Sequence, residues 1–170
     1  MSLVDTYHAY VYGTSFWYFL RGFMRVVDPV TVISWFRPPA ETHIQPNDLE
    51  VYTTRIDAFG LITLAGILLV LSDAVALPES LVGSSMTVPA SEKGKKPYAR
   101  AIVLLTMFHH ITTGIGSFTH WSRESHHTIA MDIGVYGNIA LTALGLAALV
   151  FGLAEDDSKR PAVRSPRKSR

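Results

Sequence analysis

The chain has 170 residues, of which 48% are hydrophobic and only 17% charged, with a mean hydropathy of +0.23. Fifteen Lys and Arg against fourteen Asp and Glu leave a formal net charge of +1, which supplies no general basic field for a nucleic acid. There is no Cys, so disulfides, thiolate metal sites, iron–sulfur clusters and cysteine nucleophiles are excluded together.

The charges are unevenly spread. Residues 101–122 and 133–154 contain no Asp, Glu, Lys or Arg, and residues 58–78 contain only Asp73. A bilayer core about 30 Å thick takes roughly 20 apolar residues at about 1.5 Å each, so each run is long enough to span. The first segment differs. Residues 6–20 are uncharged but rich in Tyr, Phe and Trp, and Arg21 and Arg25 follow one helical turn apart before Asp28-Pro29 stops the helix. Long Arg side chains can reach headgroups and extend this span to Val27; an interfacial helix lying flat is the alternative.

Val30, Trp35 and Phe36 belong to a segment too short to span, which is expected to skim the interface. A Pro-, Asn- and acid-containing loop then runs to about Thr54. The second helix starts near Arg55-Ile56-Asp57. Residues 79–97 read as a polar loop, residues 98–121 as the third helix, and a short turn at residues 122–127 leads into the fourth. The tail from residue 155 is charged and poor in apolar residues, hence expected to be disordered.

The expected fold is therefore all-α: an integral membrane four-helix bundle over residues 1–154, with spans at about 8–27, 56–78, 99–121 and 129–153, and a basic disordered tail over 155–170. Four spans place ten Lys and Arg of the second loop and the tail on one side. Arg25, Arg37, Arg55 and Arg123 fall on the other, with Arg21 deeper. That asymmetry puts both termini in the cytosol. The N-terminus has no basic n-region, so no cleavable signal is expected. Arg167-Lys168, three and four residues from the end, resemble a dilysine retrieval signal, which implies the endoplasmic reticulum.

Chemistry concentrates in one stretch. Five of the seven histidines lie between His109 and His127. His109 and His110 fall mid-span, where a polar ring needs a partner or a wet cavity. His109, Thr113, Gly116 and His120 share a helical face, but eleven residues separate the two histidines by about 16 Å, too far to share one metal ion. The spacings of membrane di-iron histidine boxes do not occur, and neither a metal nor another cofactor is expected. His120, Arg123, Glu124, His126, His127 and Asp132 gather at the turn between the last two helices. Arg25, Asp28, Glu50, Arg55 and Asp57 are expected at the same membrane face, where acids, histidines and arginines can tune one another and move protons. Simple pairing, Arg55 with Asp57 and Arg123 with Asp132, is the structural alternative. In the last helix Asp132 and Tyr136 share a face and Asn138 lies deeper.

The four spans, with Arg55-Ile56-Asp57, His109-His110 and His120-Trp121 at helix ends and centres, resemble small integral membrane proteins of fungal secondary-metabolite pathways. That resemblance, with the polar face, implies an enzyme performing cyclisation, isomerisation or a related proton transfer on a lipophilic terpenoid- or polyketide-like intermediate. His109, His110, Asp57, Asp132 and His120 are the candidate catalytic groups. Arg55, Arg25, Glu50, Tyr136, Asn138 and His127 are the candidate substrate-binding groups, with Arg55 placed to hold an anionic or enolate oxygen. The rival expectation is a non-catalytic membrane subunit or scaffold, homo-oligomeric or bound to a partner protein, whose histidines only pack. A His-ligated oxidase is a minor third.

Overall fold

A computed structural model describes residues 6–71 and 92–153, with the backbone alone for 92–97. Every regular element among the described residues is helical: α1 (Thr6–Val27), α2 (Pro29–Phe36), α3 (Asp48–Leu71), α4 (Glu92–Trp121) and α5 (Ile129–Ala147). Short 3-10 turns occupy Pro39–Glu41 and Glu124–His126, and a π turn, Ala148–Gly152, extends α5. Three helices are long and apolar enough to cross a membrane: Asp48–Leu71, Tyr98–Trp121 and Ile129–Gly152, each of 24 residues. That length corresponds to about 36 Å of helix. α1 is not among them, because its sequence carries Tyr, Thr, Ser and Arg along one face.

Local chemistry sets the boundaries. Asp28 ends α1 and caps α2: its carboxylate accepts from the Thr31 backbone N–H at 3.0 Å, and Pro29 occupies the first helical position. α3 begins at Asp48, ahead of the expected start near Arg55. The reason is a reciprocal cap: the Glu50 backbone N–H donates to Asn47 Oδ1 (2.9 Å), and the Asn47 N–H donates to Glu50 Oε2 (2.8 Å). What reads as loop composition is a helix start. α4 likewise begins at Glu92, inside the segment expected to be loop; Glu92, Lys93, Lys95 and Lys96 are strong helix formers. Thr128 caps α5, accepting from Met131 N–H at 3.3 Å. The expected span ends beyond Leu71, the rest of the polar loop with Asp73, and the tail lie outside the described residues.

α1 packs lengthwise on α3 and also touches α5 and its π turn; α4 packs on α5, and α2 bridges α1, α3 and α5. The approach of α1 to α3 is close at Gly22, where an added Cβ would lie 2.8 Å from the Ala58 carbonyl oxygen. The interior is layered. At one end Tyr7, Tyr10, Val11, Leu68, Val103, Met107, Ala148 and Leu153 form an apolar cluster. A second cluster, Tyr18, Leu61 and Ala65 with Trp17 against it, lies further along α1. Between them in the order of α1 come Thr14 and Ser15, buried like His110 and Asn138.

The outside is the reverse. Phe16, Phe19, Phe23, Phe59, Ile67, Leu105, Phe108, Ile115, Ile139 and Phe151 are exposed. Only 17–22% of the most apolar stretch of each long apolar helix is buried. Large apolar side chains thus cover the outside, which water does not select, while the interior combines two apolar clusters with a few buried polar side chains.

Candidate functional site

Polar side chains of α1 recur at Tyr10, Thr14, Tyr18, Arg21 and Arg25, three or four residues apart, which places them on one helical face. This stripe meets the histidines of α4. Near one end, the Tyr10 hydroxyl hydrogen-bonds Thr106 Oγ1 at 2.7 Å, and the Ser15 hydroxyl donates to the Ala65 carbonyl at 3.0 Å. These bonds tie α1 to α4 and to α3.

His110 is fully buried and held from both sides. Asn138 Nδ2 donates to the Gly134 carbonyl at 2.7 Å, which turns its Oδ1 toward the ring. His110 Nδ1 therefore donates to Asn138 Oδ1 (3.1 Å), and Nε2 is left to accept from the Thr14 hydroxyl (3.3 Å). Thr113 Oγ1 lies 3.1 Å from the same Asn138 oxygen and 2.7 Å from the His109 carbonyl; its single proton serves one of them at a time. His110 thus joins three helices in a closed network, and both its nitrogens are spoken for.

His109 is different. Its ring packs edge-on to Tyr18, with centroids 5.0 Å apart, and stands 6.0 Å from the His110 ring. Its Nε2 has no hydrogen-bond partner among the described residues. The same is true of three other buried atoms: the Tyr18 hydroxyl, Arg21 Nη1 and Trp17 Nε1. Arg21 lies over the Trp17 ring at 5.8 Å and interacts electrostatically with both Tyr18 and His109. Trp17 in turn lies against α5, where a Cβ on Gly137 would come within 2.7 Å of its ring. Buried polar atoms are normally satisfied, so four unpaired ones on neighbouring side chains mark this cluster out.

Arg25 and Asp57 follow toward the α2 end. Arg25 Nε stands 3.4 Å from Asp57 Oδ2; the Arg side chain is 12% exposed and the Asp side chain 60%. Asp57 therefore pairs across helices with Arg25, and the expected Arg55–Asp57 pair does not form. Arg55 is exposed, away from the cluster. Glu50, expected at a substrate mouth, is used structurally: besides the cap, both its oxygens accept from Arg37 Nη2, at 2.7 and 2.8 Å.

At the turn between α4 and α5, Asp132 accepts from Trp121 Nε1 (2.7 Å) and pairs with His127 Nε2 (3.0 Å). That replaces the expected Arg123–Asp132 pair. His120 stacks edge-on with His126 at 4.4 Å, and His126 Nδ1 hydrogen-bonds Ser125 at 2.8 Å. Tyr136 is exposed on the outer face and does not join Asn138. Of the expected site residues, then, His109, His110, Asn138, Arg25 and Asp57 lie on or beside the seam. His120, His127 and Asp132 form a separate group, and Arg55, Glu50 and Tyr136 belong to neither. No three His, Asp or Glu side chains among the described residues are grouped to hold a metal ion.

Trp17, Tyr18 and Arg21 are the members that sequence reasoning left out of the site, having read the first helix as a span extended by Arg side chains that reach headgroups, with an interfacial helix as the alternative. The signal was the spacing of the α1 stripe. Next to the seam, a groove of about 460 Å³ opens between α4 and α5. Its walls are apolar, including Ile111, Ile115, Phe118 and Leu146, and His110 and Asn138 also line it.

Comparison with curated proteins and with solved structures finds no match. Residues 10–163, which include the whole polar seam from Tyr10 to Asn138, match a family described as a domain of unknown function, and the chain belongs to that family, DUF8792.

Proposed function

We propose that this chain is an integral membrane four-helix bundle acting as a small enzyme, which performs acid/base chemistry on a lipophilic molecule drawn from the bilayer. The outward apolar surface and inward polar seam support the membrane setting, because in hydrocarbon a polar group is stabilised only inside the protein. α1 crosses with the other three, its polar face covered by them. The observation that carries the catalytic reading is that four buried polar atoms, His109 Nε2, Tyr18 Oη, Arg21 Nη1 and Trp17 Nε1, have no partner among the described residues, on side chains that touch in pairs: Tyr18 with His109 and Arg21 with Trp17.

The chemistry that suits these groups is proton transfer beside a carbonyl. His109 Nε2 takes a proton from the carbon next to the carbonyl, and the C–H electron pair passes into an enolate whose oxygen accepts from Tyr18, Trp17 or Arg21. Return of the same proton to another carbon of the conjugated system completes an isomerisation without an added reactant. Fixed donors aimed at a developing oxyanion in a dry site supply much of such a rate enhancement. Arg21 takes the oxyanion role expected of Arg55. Asp57 and Asp132 act as acceptors for Arg25 and for Trp121 with His127, so neither is the acid. The apolar groove beside His110 supports a lipophilic substrate, terpenoid- or polyketide-like as in the fungal secondary-metabolite proteins that the chain resembles; Trp17, Tyr18, Arg21 and His109 do not themselves line it. Residence in the endoplasmic reticulum with both termini cytosolic completes this reading.

The competing reading is a membrane subunit, favoured by the closed His110–Asn138–Thr14 network, which needs no substrate to explain it. The test is purification in mild detergent, with lipid-extract mass spectrometry on wild type and His109→Ala side by side. A retained lipophilic molecule that disappears from the folded variant supports an enzyme or ligand site. A bundle that copurifies with another protein and is unchanged by the substitution contradicts it.

A further inference from the structure

The seam holds more positive charge than its own carboxylate answers. Arg21 and Arg25 both reach into it, and the one acid beside them, Asp57, pairs with Arg25 at 3.4 Å. Arg21 forms no ion pair among the described residues, yet its Nη1 is buried. A snorkelling Arg would carry its guanidinium out to the headgroups. Here Nη1 is covered, and the guanidinium rests 5.8 Å above Trp17. Two guanidiniums thus share one carboxylate, Asp57, whose field reaches Arg21 without an ion pair, and a buried cation so incompletely answered is costly to a fold.

The neighbours sharpen the point. The Trp17 indole and the Arg21 guanidinium only donate hydrogen bonds, and the Tyr18 hydroxyl and the His109 ring can donate as well. Donors without an acceptor among the described residues, around a cation that has no ion pair of its own there, define the complement they lack. Its depth is also fixed. Arg21 lies six residues from the end of α1 and Tyr18 nine, about 9 and 14 Å at 1.5 Å per residue. Around Tyr18 the packing is Leu61 and Ala65. A free inorganic anion has no reason to enter such surroundings, whereas an amphiphile brings its own apolar body.

We propose that Trp17, Tyr18, Arg21 and His109 form a binding site for the anionic oxygen group, carboxylate or phosphate, of a lipophilic molecule. This rests on the reading of the same cluster as a ligand site and adds the class of ligand: an acid, where the catalytic reading alone requires only a carbonyl.

The experiment is calorimetric titration of the purified full-length protein in non-ionic detergent with three probes: hexadecanoate, dioleoyl phosphatidate and uncharged hexadecanol. At least one of the two anionic probes binds, and hexadecanol binds at least roughly tenfold more weakly, in line with the strength of charge-assisted hydrogen bonds. Arg21→Gln weakens the anionic probe by roughly 10- to 100-fold on the same basis and leaves hexadecanol unchanged. Tyr18→Phe weakens it several-fold without lowering the melting temperature, since the hydroxyl it removes has no hydrogen-bond partner among the described residues. Tighter hexadecanoate identifies a carboxylate ligand, tighter phosphatidate a lipid headgroup, and either supports the site. Hexadecanol binding as tightly as both anions, or Tyr18→Phe and Arg21→Gln both binding like wild type, overturns it. If Arg21→Gln does not fold, the probe ratio and Tyr18→Phe decide. Anion binding without turnover sinks the catalytic reading alone; turnover of a neutral substrate, indifferent to Arg21→Gln, sinks this inference alone.

Discussion

Two adjacent histidines of α4 have opposite circumstances. His110 bridges Thr14 and Asn138, so truncation removes a hydrogen bond from each of two buried polar groups and leaves a void among three helices. His110→Ala is expected to cost about 2–4 kcal/mol, read as a lowered unfolding midpoint in detergent. His109 Nε2 bonds nothing among the described residues. His109→Ala is expected to cost about 1 kcal/mol or less beyond lost packing, and to remove ligand binding or turnover instead. Equal destabilisation by the two changes would mean that His109 is also a packing residue. The sequence placed both rings in a span but could not separate them, because what separates them is contact with Thr14 and Asn138, 96 and 28 residues away.

At the scale of the element, short-range capping decides where helices begin. Glu50→Ala removes the side-chain half of the reciprocal cap of α3, leaving the bond to Asn47 Oδ1, and takes away the carboxylate that Arg37 holds. An N-cap pair is worth about 0.5–2 kcal/mol, and the loss is expected to appear as fraying of the first turn, measurable by amide exchange at Val51 and Tyr52. Asp28 gives a pH signature. Hydrogen bonds from Thr31 hold its carboxyl below the ordinary aspartate range. Its contribution is therefore complete above about pH 4 and fades as pH falls through the lowered folded value. Asp28→Asn, which keeps a capping side chain, is expected to lose this acid dependence; an unfolding midpoint that drops equally in both proteins between pH 7 and pH 3 would assign the acid sensitivity elsewhere. Long apolar runs made α4 and α5 legible in the sequence, and turn residues at Asp28-Pro29 marked the α1–α2 break. The start of α3 was not legible, because Asn47 and Glu50 have loop-like composition until their reciprocal bonds are seen. The α1 stripe was present at the right spacing. Its aromatics drew the reading outward, although Tyr10, Thr14 and Tyr18 face in.

Across the whole molecule, an apolar exterior surrounds a polar seam that runs from Tyr10 to Arg25 and ends beside Asp57. In the proposed membrane setting the outer surface meets hydrocarbon, where such an exterior is stable. α1 is the helix on which this depends. It supplies Thr14, Tyr18 and Arg21, yet its own composition sets it apart from the three long apolar helices. If it spans, the segment after α1 and the α4–α5 turn face one side, and the two chain ends face the other. The natural absence of Cys makes this directly measurable. Single Ser2→Cys, Thr42→Cys, Ser125→Cys and Ser169→Cys substitutions in sealed membrane vesicles can be probed with an impermeant maleimide before and after permeabilisation. Four crossings predict that Thr42→Cys and Ser125→Cys label from one side, and Ser2→Cys and Ser169→Cys from the other. Ser2→Cys labelling together with Thr42→Cys would contradict the account, because α1 would then lie on the surface and its polar stripe could not line a site within the membrane.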